Sequence, residues 1–148
     1  MSHEERERYK IPVAVFMMLV KDNEVLMIKR ATTGWMDDHY SLPAGSLDPN
    51  EDVLSAAIRE TKEEVGVDVD KNSVKLVNVM HTKVMEKDWL NLIFLTNEWQ
   101  GEPKVCEPHK HSEVKWFKIN KLPKKIVPYV KVALQDYLNN KNITIYGW

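Results

Sequence analysis

Hydrophobic and polar positions change period several times along the chain, and each change predicts an element. Pro12-Val13-Ala14-Val15-Phe16-Met17-Met18-Leu19-Val20 is a nearly unbroken apolar run, the pattern of a buried strand. Asp22-Asn23 is a turn signal, and Glu24 to Arg30 reads as the returning hairpin strand. Thr32, Thr33, Gly34, Asp37 and Asp38 break the pattern and mark a loop from Ala31 to Tyr40. Ser41 to Gly45 predicts a short strand, and Ser46 to Asn50 a second loop. The period becomes helical from Glu51 to Val65: Asn50 caps the start, Glu51 and Asp52 suit the positive end of the dipole, and Gly66 is a natural stop. Val74 to Met85 and Leu90 to Trp99 predict two longer strands with a turn near Lys87-Asp88, and Val114 to Ile119 a shorter one. Pro128 opens a last helix to Asn140, with Val130, Val132, Ala133 and Tyr137 on its buried side. Strands on both sides of one strong helix predict a mixed α/β fold over a single domain, 1–148, without repeats or linkers.

On a helical wheel at about 100° per residue, Leu54, Ile58, Thr61 and Val65 share one arc, with Ala57 beside them, and are expected to pack on a sheet. Glu60, Glu63 and Glu64 share another arc, alongside only Val53 and Ala56, so their carboxylates are expected to project at a common point. Like charges at these spacings repel by about 0.2–0.5 kcal/mol per pair, and they stand in the turns where the helix dipole is already negative. Arg59 offsets part of this through Glu63, and Lys62 is placed to help. A divalent cation would offset far more. Hard oxygen donors without His or Cys suit Mg²⁺ or Mn²⁺ rather than zinc.

Composition narrows the class without naming it. Lys plus Arg number 21 against 22 Asp plus Glu, a net charge of −1, which removes the simplest electrostatic case for a duplex nucleic-acid binder. The apolar run Ile11 to Val20 is too short to span a bilayer, and the charged MSHEERERYK before it does not read as a signal peptide. A lone Cys106 excludes an intramolecular disulfide framework and a Cys-rich zinc site, and predicts a reducing, cytoplasmic setting.

The spacing around the helix is more specific. Gly45 is followed after five residues by Glu51, after seven more by Arg59-Glu60, after two by Glu63-Glu64, and after one by Gly66 and aliphatic Val67. This resembles the Nudix box, G-x5-E-x7-R-E-U-x-E-E-x-G-U with U a bulky apolar residue, over 45–67. Fixed positions at this density match by chance on the order of 10⁻⁸ per start position. One departure lies inside the box, where Thr61 fills a U position; Ala44 and Asn50 stand where family members often carry Gly. A second stretch, Trp99-Gln100-Gly101-Glu102-Pro103 followed by Glu107, is similar to the MutT branch, and Pro108 and Lys110 resemble an E-P-x-K loop of nucleotide-directed relatives.

The resemblance implies a Nudix-type α/β/α sandwich with a mixed β-sheet, and Mg²⁺- or Mn²⁺-dependent hydrolysis of a nucleoside diphosphate linked to a group X. Glu60, Glu63, Glu64 and Glu107 would bind metal or activate water, with the Gly45 carbonyl completing the metal site. Either Glu60 or Glu63 would be the base, and Arg59 would hold a glutamate in position. Glu51 reads as structural, at the N-terminal dipole and linked to Arg59. Branch markers for other substrates are missing: Thr82 stands where ADP-ribose branches tend to carry Pro, and Lys83, Val84 and Met85 where dinucleoside polyphosphate branches tend to carry Tyr. That leaves a nucleoside triphosphate cleaved to monophosphate and pyrophosphate as the first expectation. Nucleoside diphosphate-sugar or ADP-ribose hydrolysis, or RNA 5′-end processing, is the alternative, and a non-catalytic nucleotide-sensing scaffold the third. The expected partner is a small nucleotide; homodimers are common in the family, and the sequence leaves oligomeric state open.

For the base and phosphates the candidates are Trp35, His39 and Tyr40 before the box, Trp89 near a hairpin, and Arg30 at the end of the second strand. His109 and His111 are read as exposed loop residues flanking Glu107, and Lys118, Lys121, Lys124 and Lys125 as a solvated basic run. Cys106 beside Glu107 is read as a bystander, without an activating partner pattern.

Overall fold

The computed structural model describes residues 7–148; the first six, part of the charged N-terminal stretch, lie outside the described residues. The apolar run forms β1 (Val13–Lys21), the centre of a mixed sheet. The turn at Asp22 and Asn23, both at positive φ as the tight hairpin requires, returns the chain as β2 (Glu24–Arg30). The expected strand 41–45 is split by buried Pro43, which has no N–H to give to a ladder. Its halves are β3 (Tyr40–Ser41), paired with β2, and β4 (Ala44–Ser46), paired with β1. The helix α1 spans Val53–Val65 and is capped by Asp52, whose carboxylate accepts from Ser55 N at 2.8 Å, rather than by Asn50. Asn50 instead turns the chain at positive φ. Gly66 ends the helix in the left-handed region, its N–H donating to Lys62 O at 3.0 Å.

β5 (Lys75–Val84) and β6 (Lys87–Thr96) form the expected long hairpin, but the turn falls at Met85-Glu86, both at positive φ, and not at Lys87-Asp88. β6 runs parallel to β1 from Val13↔Leu90 to Leu19↔Thr96. β7 (His111–Lys118) begins three residues before the predicted Val114, because its ladder with β2 continues through a bulge to Arg30↔His111. α2 (Pro128–Leu138) buries Val130, Ala133 and Leu134, with Tyr137 packed beside them. β8 (Ile143–Tyr146), too short and too exposed to show a period, is fixed by tertiary bonds. Asn78 on β5 donates to Thr144, which donates to Asp136 of α2, at 3.0 and 2.8 Å.

The two faces of the sheet bury different sets. Val15, Met17, Leu19, Leu26 and Ile28 pack under α1, and Ala14, Phe16, Met18, Met80, Ile93 and Leu95 pack under α2. This alternation along β1 and β6 is the two-residue period of strands covered on both faces, and it makes the α/β/α sandwich. No helix among the described residues is long and apolar enough to cross a membrane.

Candidate active site

The acidic wall begins at the chain's passage from β3 to β4. Pro43 O accepts from Met17 N at 2.9 Å, which ties this segment to β1 and sets Ala44 and Gly45 against α1. Gly45 leaves room for the Glu60 carboxylate: a Cβ there would lie 2.0 Å from its carboxyl carbon and push the side chain aside. Arg59 organises the rest. It binds both Glu51 oxygens, with Nε at 3.0 Å and Nη2 at 2.7 Å, reaches Glu60 at 2.9 Å and Glu63 at 3.3 Å, and meets Asp48 at 3.3 Å. This bidentate grip, with the neighbouring charges, holds the guanidinium's pKa above its usual value and Glu51's below. The Glu51 link is the expected one. Lys62 does not join the cluster; it pairs with Asp68 at 3.1 Å.

The three helical glutamates share an arc but not an environment. α1 lies closest to the sheet along Ala56, Ala57, Thr61, Glu64 and Val65, leaving Leu54 and Ile58 half-buried, so the buried stripe is rotated toward the carboxylates. The small Ala56 and Ala57 permit the close approach, and Thr61 fits the apolar position by donating its hydroxyl to Ala57 O at 2.7 Å. Glu64 is therefore 5% exposed, Glu60 half-buried, and Glu63 open to solvent. Burial, followed by the Glu60 charge, pushes the Glu64 carboxyl well above the ordinary range, and the Ala44 N–H at 3.3 Å only partly opposes it. Burial also raises Glu60, against the pull of Arg59.

Glu107 reaches this cluster because its loop closes on the end of α1. Lys104 N and Cys106 N donate to Val65 O and Glu64 O at 3.0 and 3.2 Å, satisfying helix C-terminal carbonyls. The Glu107 charge raises both Glu60 and Glu64. Lys110 stands 3.6 Å from Glu107. Cys106 is a free, half-buried thiol whose Sγ would lie 3.0 Å from a Cβ on Gly66. His111 is not an exposed loop residue. It begins β7 and is 6% exposed, with Nε2 3.5 Å from Glu64 and Nδ1 without a partner, and burial holds its pKa below the ordinary value. The bulged Arg30↔His111 pairing that carries it inward has no local signal in the sequence.

A cleft of about 990 Å³ opens between this wall and an aromatic one. Gly45, Glu60, Glu64, His109, Lys110 and His111 line one side, and Arg30 and Trp35 another. The Arg30 guanidinium lies 4.8 Å over the Trp35 ring and donates to Trp35 O at 2.9 Å. Trp35 in turn stacks on Tyr129 of α2 at 6.2 Å, a residue that the sequence reading missed. Trp89 also lines the cleft. His39 and Tyr40 do not. His39 folds onto Asp37 O at 3.1 Å. The Tyr40 ring is in the core against Phe117, its hydroxyl donating to Glu113 at 2.8 Å and pushed up to about 12 by burial and that carboxylate. Strand β3 carries the Tyr40 side chain inward, where sequence adjacency to Trp35 suggested a loop. Lys118, Lys121, Lys124 and Lys125 are exposed, as expected.

Residues 9–137 match the NUDIX domain family, and the chain belongs to it. It is 31% identical over 88% of its length, and 75% of the relative's, to an ADP-ribose pyrophosphatase of Methanocaldococcus jannaschii. Similarity to an 8-oxo-dGTP diphosphatase of Proteus vulgaris is 27% over 65% of this chain and 84% of that one. Among solved structures, a MutT NUDIX hydrolase from Burkholderia pseudomallei superposes with a TM-score of 0.79 at 28% identity, covering 86% of this chain and 98% of the other. The chain is thus a Nudix hydrolase with the family's mixed-sheet α/β fold.

Proposed function

We propose that this Nudix hydrolase, acting as one domain over 1–148 in the cytoplasm, cleaves a nucleoside triphosphate to the monophosphate and pyrophosphate with Mg²⁺ or Mn²⁺. One observation carries the reading: a single cleft joins the carboxylates Glu60 and Glu64, both raised by burial, to the Arg30–Trp35–Tyr129 wall. The donor set suits a hard divalent cation. Glu107 raises Glu60 and Glu64, Glu60 raises Glu64, and burial makes that repulsion costly. Among the described residues, however, no three acidic, His or Cys side chains already converge as ligands. Glu60 and Glu63 are turned toward Arg59. The proposed ligands are Glu60, Glu63, Glu64, Glu107 and the Gly45 carbonyl.

Held by these groups, such a cation would neutralise the polyphosphate and lower the pKa of a bound water. The chain's own groups do the rest. Arg30 and Lys110 draw the phosphates toward the acidic wall, and Trp35 offers a stacking face to the base. Water oxygen forms a bond to phosphorus as the anhydride oxygen leaves with pyrophosphate, and the water's proton passes to a carboxylate. Of the two candidate acceptors, Glu60 is the proposed base: it is half-buried in the cleft and raised by that burial, while Glu63 stands in solvent. Arg59 orients both and does not touch substrate.

The similarity to an ADP-ribose pyrophosphatase favours a second reading, in which X is a sugar and not a phosphate, so that a sugar phosphate leaves in place of pyrophosphate. A panel with Mg²⁺ separates the two: canonical and oxidised triphosphates, ADP-ribose, nucleotide sugars, dinucleoside polyphosphates and 5′-triphosphate RNA, with products resolved. Pyrophosphate from a triphosphate supports the first. Turnover of ADP-ribose or nucleotide sugars alone replaces it with the second, and metal binding without any turnover replaces both with a nucleotide-binding scaffold.

A further inference from the structure

The face of the sheet beneath the aromatic wall carries two polar side chains where its neighbours are apolar. Thr82 on β5 and Asn91 on β6 are 4% and 3% exposed, yet both line the cleft. The registers Thr82↔Trp89, Met80↔Asn91 and Ala14↔Asn91 set them side by side on the α2 face, next to Ala14 and Phe16 of β1. Leaving a buried amide unbonded is costly, so the orientation of Asn91 is informative. Its Nδ2 lies 3.0 Å from Met80 O and 3.0 Å from Thr82 Oγ1. A main-chain carbonyl only accepts, which makes the atom facing it the nitrogen and leaves Oδ1 on the other side. No described residue donates to Asn91 Oδ1. Nor is that oxygen sealed in the interior, in contrast to the unpartnered Asn78 Oδ1 and His111 Nδ1. Thr82 Oγ1 accepts from Asn91 and finds no acceptor for its own proton among the described residues.

The apolar end of the cleft therefore presents one unused acceptor beside one unused donor. A phosphate, which only accepts, has nothing to give Asn91. A planar heterocycle with an N–H next to a lone pair matches both groups, and Phe16, Trp89 and Tyr129 supply apolar surface around it. We propose that Asn91 and Thr82 form a specificity-determining pair that reads the hydrogen-bonding edge of the substrate's nucleobase, the phosphates lying toward Glu60 and Glu64. This rests on the reading that a nucleotide occupies the cleft.

The test compares wild type with Asn91→Leu and Thr82→Val, close in shape and lacking the polar atoms. The readout is the ratio of kcat/KM for the preferred nucleoside triphosphate to that for 2-deoxyribose 5′-triphosphate, which has no base. Each substitution should lower that ratio about tenfold, mostly through KM, and N-methylation of the base edge should do the same in wild type. An unchanged ratio in folded Thr82→Val protein overturns the pair. If wild type hydrolyses no nucleotide, the functional reading fails by itself, and calorimetric titration with nucleoside monophosphates decides the pair. Weaker binding in both variants upholds it, and equal binding overturns it.

Discussion

Most carboxylates of the acidic wall come from one continuous stretch, Ala44 to Glu64, and the segment Glu107 to His111 closes on it. The facing wall draws Phe16 from β1, Arg30 and Trp35 from β2 and the loop after it, Thr82 from β5, Asn91 from β6 and Tyr129 from α2. The two also differ in what holds them. Arg59 gathers Glu51, Glu60 and Glu63 by charge within a few turns of chain. The opposite wall is held by strand register and ring packing over long separations. On the proposed reading, a reaction on anhydrides tolerates little change in the charged half, whereas the half assigned to the variable part of the substrate can be rebuilt one strand at a time.

The strongest way to break the acidic wall is Glu64→Gln, which removes one charge and keeps the shape. On the proposed reading kcat falls by about 10³ or more with the circular dichroism spectrum unchanged, and full activity in this variant removes Glu64 from the site. Gly45→Ala tests the same wall through geometry. A Cβ at 2.0 Å from the Glu60 carboxyl must displace it, and a shift near 1 Å costs about 10²-fold in kcat/KM. On the other wall, Trp35→Ala should raise KM about tenfold while kcat stays within about twofold, as loss of one stacking face does. A kcat effect as large as that of Gly45→Ala would erase the contrast between the walls.

The smallest effect is on stability. Glu64 is raised in the folded state, so its contribution is fully present below its unfolded value and is lost as pH rises through the folded one. Metal-free protein should therefore lose up to about 1.4 kcal/mol per pH unit across that window, read as a falling melting temperature. Mg²⁺ or Glu64→Gln should flatten the slope. A slope that survives Glu64→Gln assigns the titration to another group, such as Glu60.

How much was legible follows the same division. The helix with its Gly45, Arg59 and glutamates could be read because their spacing is local and a 3.6-residue period carries it; even the Glu51–Arg59 link is where it was expected. The cap was off by two residues because Asn50 and Asp52 both suit such a position, and the Glu51–Arg59 and Glu51–Asp48 bonds select between them. Adjacency to Trp35 in sequence points Tyr40 and His39 toward the ligand, but the short ladder of β3 turns Tyr40 into the core. Nothing in the immediate neighbours of His111 reports its pairing with Arg30, so its burial is invisible to the sequence.

By itself, then, the sequence determined the chemistry available: which carboxylates lie on one helix, where that helix stops, and that the clustered donors are oxygen and not sulfur. Only the tertiary structure decided how those groups differ. The packing of α1 on β1 and β4 makes Glu64 buried and Glu63 exposed, although the wheel places them on one arc. The parallel pairing of β6 with β1 brings Asn91 beside Ala14 at the cleft floor. Burial and register arise from contacts between residues far apart in the chain, and a local period carries no record of them.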